Sequence, residues 1–146
     1  MAGITVGIDG SLNSHRALDW AVREAAVRRC GLTVLIVHPA VACCASGSPL
    51  TVPTDKALQA RERQAAEEAV GQALNEAGLA RPATVRVASV IGLAVEKLID
   101  ASKKSDLLVI GARGAGDFHW LMLGSVSGQV VHHSACPVVV VPGPER

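Results

Sequence analysis

Short apolar runs alternate with amphipathic stretches along most of this chain, and the change of period from one to the other gives its plan. Ile4 to Ile8 is short and β-branched, and Asp9-Gly10-Ser11 closes it as a turn. Apolar positions then recur every three to four residues, at Ala17/Leu18, Trp20/Ala21/Val22 and Ala25/Ala26. That spacing predicts a helix reaching Cys30, with Gly31 as its stop. Leu32 to Val37 reads as a second buried strand ended by Pro39, and 40–54, holding Gly47, Pro49 and Pro53, as a loop. Asp55 is placed to cap a long helix whose Leu58, Ala65/Ala66, Ala69/Val70, Ala73/Leu74 and Ala77 share one face and which closes at Gly78. Strands are expected over 83–90, 106–110 and 137–141, and helices over 93–102 and 125–133. The order is βαβαβαβαβ. Strands so continuously apolar are buried on both faces, which predicts an open parallel sheet with helices on both sides and right-handed crossovers.

Composition narrows the function classes. At 146 residues the chain suits one domain, and 49% hydrophobic against 18% charged residues excludes a disordered chain. Aromatic residues are few, Trp20, Phe118 and Trp120, and the net charge is +1, so neither stacking platforms nor a basic footprint points to nucleic acid. The first residues run straight into a strand pattern rather than a basic leader with an apolar run, which gives no expectation of export. No apolar run approaches the ~20 residues that span a bilayer, so no membrane partner is expected and the reading is soluble and cytoplasmic. Cys30, Cys43, Cys44 and Cys136 lack a CxxC spacing and are expected as reduced thiols; adjacent Cys43 and Cys44 would pair only with strain.

The chemistry concentrates in Gly111-Ala112-Arg113-Gly114-Ala115-Gly116-Asp117-Phe118-His119-Trp120-Leu121-Met122-Leu123-Gly124-Ser125, which leaves a buried strand and enters a helix. Gly111 and Gly114 let backbone N–H groups approach a ligand where a Cβ would intrude. Gly124-Ser125 adds unsatisfied amides and a hydroxyl at a helix N-terminus, a setting that favours phosphate. Two familiar phosphate loops do not fit. A Walker loop requires GxxxxGK[ST], and the segment has no lysine; the dinucleotide fingerprint GxGxxG follows a first strand, where Asp9-Gly10-Ser11 holds one glycine.

The spacing that is present is glycine, two residues, glycine, nine residues, glycine, serine. It resembles the ATP-binding motif of the universal stress protein family. The resemblance extends to Val6-Gly7-Ile8-Asp9-Gly10-Ser11, to Asp106-Leu107-Leu108-Val109-Ile110-Gly111 and to Cys136-Pro137-Val138-Val139-Val140-Val141. It implies a single-domain, five-stranded parallel sheet in the order 3-2-1-4-5, of the adenine nucleotide alpha hydrolase-like type, in the ATP-binding branch of the family. In that order Asp9 and Gly111 border one crevice at the strands' carboxyl ends. Carried over by motif position, Asp9 resembles the residue that meets adenine or ribose. Gly111, Gly114, Gly124 and Ser125 resemble the phosphate cradle. Ile110, Arg113 and Val126 match pocket neighbours, and His38 or Val37 would lie against the base. The resemblance also implies ATP as ligand, with or without magnesium, and a homodimer through Val138, Val139, Val140 and Val141, whose run is apolar, β-branched and bracketed by prolines at a sheet edge.

Plainer roles stand beside these. Asp9 could close an Asx turn or cap the first helix, Ser125 could be an ordinary N-cap, and Arg113 could be a solvated loop charge rather than a fork on phosphate. His119 lies within the loop and could approach a γ-phosphate, but a lone loop histidine is more often incidental. His132 and His133 end a helix, where positive charge suits the dipole, and Arg23, Arg28 and Arg29 suit a solvated helix face. Among activities, a nucleotide-dependent stress-response module stands first. A slow ATPase or autophosphorylating enzyme stands second, because only Arg113 and Asp9 could support phosphoryl transfer; no catalytic or metal-ligating residue is assigned. A binder of another adenine nucleotide such as cyclic AMP is a further alternative. The SGGxDS pattern of ATP pyrophosphatases is missing from Asp9-Gly10-Ser11-Leu12-Asn13-Ser14.

Overall fold

The computed structural model describes residues 3–9, 12–38, 56–82, 84–112 and 125–143. The elements follow the order expected from the sequence: β1 (Ile4–Ile8), α1 (Leu12–Arg28), β2 (Leu32–His38), α2 (Lys56–Ala77), β3 (Val85–Ile91), α3 (Ala94–Ser102), β4 (Leu107–Gly111), α4 (Ser125–His133) and β5 (Val138–Val141). The strands form one parallel sheet in the order β3-β2-β1-β4-β5. The expected loop at 40–54 and the Asp55 cap lie outside the described residues, as do Cys43, Cys44 and Ala83. Cys30 and Cys136 are free thiols. Among the described residues, no helix is long and apolar enough to cross a membrane.

Because successive strand residues point to opposite faces, each apolar strand supplies two cores. Ile4, Val6, Val34, Ile36, Leu107 and Val109 face α1 and α2, where they pack with Ala17, Val22, Val70 and Leu74. Leu35, Leu108 and Ile110 face the other way and pack with Leu98 of α3 and Val130 of α4. Uniformly apolar strands are therefore what a sheet covered on both sides requires.

Several boundaries differ from the sequence reading by one or two residues, and three of them have a local cause. α1 stops at Arg28 rather than reaching Cys30, because Arg29 itself adopts the left-handed conformation at φ 57°. The N–H of Cys30 then donates to Ala25 and that of Arg29 to Ala26, the paired bonds of a Schellman close. β3 starts at Val85, two residues later than expected, and Thr84 just before it accepts the N–H of Leu32 through its carbonyl. Leu93 is extended, at φ −83° and ψ 128°, and serves as the N-cap of α3 rather than its first residue.

Candidate functional site

The sheet opens where its strand order reverses. β1 pairs with β2 as far as Ile8↔Ile36 and β4 pairs with β5 as far as Gly111↔Val141, but the β1–β4 register ends at Val6↔Val109. Beyond that pair the two central strands part, leaving Gly7 to Asp9 on one side and Ile110 to Ala112 on the other. Open parallel sheets take ligands at this place.

A cavity of about 560 Å³ lies on the β1–β2 side of the opening. That is within the range of small-molecule sites, roughly 300–1,000 Å³. Asp9, directly after β1, and Val37 and His38, at the end of β2, form its floor. One wall is the small-residue face of α2, Ala65, Ala66 and Ala69, and the other is the turn Gly92-Leu93-Ala94 that leads from β3 into α3. Gly92 makes that turn at φ 153°, a value side chains avoid, and a Cβ there would come 2.6 Å from Cε of Lys97. The walls are mostly apolar, and the polar groups converge from Asp9, His15, His38 and Glu62.

His38 is held from two sides. Its Nε2 lies 2.8 Å from Oγ of Ser89 on β3 and 3.1 Å from Oε2 of Glu62 on α2. The hydrogen-bonding direction of Nε2 is taken by Ser89. Glu62 Oε2 is thus at charge-pairing distance, buried, and without a directed hydrogen bond. The backbone carbonyl of His38 accepts the N–H of Gly92 at 2.9 Å, which ties the floor to the wall.

Of the residues singled out from sequence, Asp9 and His38 share the cavity. Ile110, Gly111, Ser125 and Val126 belong to the β4 side and do not line it. Ile110 is 4% exposed and packs under α3 and α4, so its side chain is core. Gly111 ends β4 opposite Val141, while Ser125 and Val126 are exposed at the start of α4. The residues that flank 113–124 are joined: Ala112 donates its N–H to Val141, and its carbonyl accepts the hydroxyl of buried Ser127 at 2.6 Å. Arg113, Gly114 and Gly124 lie outside the described residues, as does His119.

Sequence reasoning missed Glu62, His15, Ser89 and the turn at Gly92. Glu62 had a legible signal, since it precedes Ala65, Ala66 and Ala69 by three, four and seven residues and so lies on their face. A carboxylate on the apolar side of an amphipathic helix is out of pattern. Ser89 reaches His38, and Gly92 the cavity, only through sheet pairing, which has no local signature.

The comparisons agree with this architecture. The model of the universal stress protein family matches residues 2–142. A universal stress protein of Mycobacterium tuberculosis is 34% identical over 155 residues, covering 99% of this chain and 49% of the relative. The chain thus spans about half the length of the curated relatives it matches. A solved universal stress protein in complex with cAMP superposes with a TM-score of 0.70 at 25% identity, over 96% of this chain and 95% of that one. One from Archaeoglobus fulgidus, in complex with dAMP, gives 0.61 at 19% identity, over 95% and 96%, a likeness of fold. The chain belongs to the universal stress protein family.

Proposed function

We propose that this chain binds ATP as a cytoplasmic, dimeric regulatory module of the stress response. The observation that carries the reading is the apolar cavity at the carboxyl ends of β1 and β2, with Asp9 and His38 on its floor beside the parting of β1 and β4. The base and ribose occupy that cavity, where Asp9 accepts hydrogen bonds from sugar or base. The phosphates extend across the opening toward Gly111, Arg113, Gly114, Gly124, Ser125 and Val126, where glycine amides and the start of α4 favour negative charge. Among the described residues no group of three His, Cys, Asp or Glu converges on a metal position. Magnesium enters the proposal as the counter-ion that a triphosphate carries. With no lysine in the segment after β4, any hydrolysis is slow, far below the roughly 1–100 s⁻¹ of kinases.

Cyclic AMP is the second reading, favoured by the solved relative that contains it. The two are separated by purifying the protein without added nucleotide, identifying what it releases by mass spectrometry, and titrating ATP and cyclic AMP by calorimetry. Gly114→Val should abolish ATP binding in a folded protein. Asp9→Ala should weaken it by about 1.5–3 kcal/mol, as for a lost hydrogen bond to a charged group. Unchanged affinity in both variants would overturn the assignment.

A further inference from the structure

Two groups share one nitrogen of His38, and they differ in what they can do for it. Ser89 Oγ, at 2.8 Å, is a hydroxyl and can either give a proton to Nε2 or take one from it. Taken alone, it leaves the tautomer undecided. Glu62 Oε2, at 3.1 Å, is a carboxylate oxygen and can only accept. A lone pair on Nε2 would face it acceptor to acceptor, whereas an N–H on Nε2 is attracted to it. The preference is strong because that oxygen is buried and has no other donor among the described residues to compensate it.

We infer that Glu62, with Ser89, holds neutral His38 as the Nε2–H tautomer, which leaves Nδ1 as an acceptor at the cavity floor that selects bases carrying an exocyclic amino group. Resting on the nucleotide reading above, the inference adds the polarity of base recognition. An adenine offers its 6-amino N–H₂ to an acceptor; hypoxanthine and guanine put a carbonyl oxygen in the same place, which would face Nδ1 as a second acceptor. Rejection then comes from an unsatisfied pair rather than from shape, the more discriminating of the two mechanisms. The side chains of Val37 and Ile36 beside it are apolar and supply no such distinction. Glu62 is a positioning residue in this scheme, acting through the ring and not on the ligand.

The test uses ATP and ITP in mildly alkaline buffer, where an imidazole is neutral. The two differ in the amino or oxo group at position 6 and, with it, in N1, an acceptor in ATP and an N–H donor in ITP; the Glu62 variant isolates the part that His38 reads. Wild type should prefer ATP by about tenfold or more, the ratio one hydrogen bond carries. Glu62→Gln, which removes the negative charge that favours a proton on Nε2, should bring the ratio close to one. Ser89→Ala should keep the preference, because Glu62 still favours the proton. The free wild-type protein gives an independent reading, since long-range proton–nitrogen NMR spectra of its imidazoles distinguish the two ring nitrogens. His38 should show its proton on Nε2. A proton on Nδ1, equal affinity for ATP and ITP, or an unaltered ratio in folded Glu62→Gln would each overturn the inference and leave nucleotide binding standing. Binding of neither nucleotide would overturn both.

Discussion

Ser127, one turn into α4, donates its hydroxyl to the carbonyl of Ala112, one residue past β4, at 2.6 Å. The two are 15 positions apart, so the bond closes the base of the segment that carries Arg113, Gly114 and Gly124. The N–H of Ala112 is fixed in the same way to Val141. The residues on either side of it, Ala112 and Ser127, are therefore joined to each other and to β5, which under the nucleotide reading would lower the ordering cost of binding there. Ser127→Ala removes this donor from the carbonyl, and the expected loss is about 1–3 kcal/mol of stability. Denaturant unfolding measures it. ATP affinity should fall as well, and a variant with full affinity would show that this anchor does not serve the ligand.

A variant at the opposite end of the sheet supplies the contrast. Gly3 has φ 82°, and a Cβ there would stand 2.5 Å from the carbonyl oxygen of Gly31, a backbone atom that cannot step aside. Its N–H and carbonyl also bond Asp106, joining the starts of β1 and β4. Gly3→Ala should cost at least about 1–3 kcal/mol for the left-handed backbone alone. Thermal unfolding should register a lower midpoint, while ATP affinity measured well below it stays unchanged, because the damage lies at the amino ends of the strands.

α1 offers a change in the other direction. Arg29 pays for a left-handed conformation that glycine adopts without strain, and its backbone bond to Ala26 does not depend on the side chain. Arg29→Gly should stabilise the protein by up to about 1 kcal/mol, less what the freer unfolded chain takes back. A lower denaturation midpoint would mean that the guanidinium holds something the backbone geometry does not reveal.

What could be read from the sequence, and what could not, follows the range of the forces involved. The strands were legible because burial on two faces demands an unbroken apolar run, as in Leu107 to Ile110. α2 was legible down to its close at Gly78, where the left-handed residue is a glycine, at φ 66°. The close of α1 was not, since arginine carries no signal for that conformation and Gly31 two residues later does. Asp9 could be placed because it follows β1 directly. The His38–Glu62–Ser89 cluster could not, since its members come from β2, α2 and β3 and meet only once β2 and β3 are in register, with His38 opposite Ile91.

The last prediction concerns β5, the free edge of the sheet. Its side chains are already used within one chain: Val139 and Val141 pack toward α1, and Val138 and Val140 toward α3 and α4. A charge at Val139 or Val141 would enter that core, so loss of a dimer there would report unfolding instead of a broken interface. The backbone gives a cleaner handle. Leu108 donates its N–H to Pro137 and Ala112 donates to Val141, so residues 137, 139 and 141 turn their polar groups toward β4. By alternation, Val138 and Val140 present theirs to the open edge. A second copy meeting β5 antiparallel about a two-fold axis would bond to those groups. Val140→Pro removes one such N–H, keeps an apolar side chain, and spares the ladder to β4, which makes it compatible with an edge strand. Light scattering should then find a wild-type dimer and a folded Val140→Pro monomer, or at least a dimer that dissociates at far lower dilution. A wild type that stays monomeric at high micromolar concentration, or a proline variant as tightly dimeric as wild type, would remove β5 from the interface.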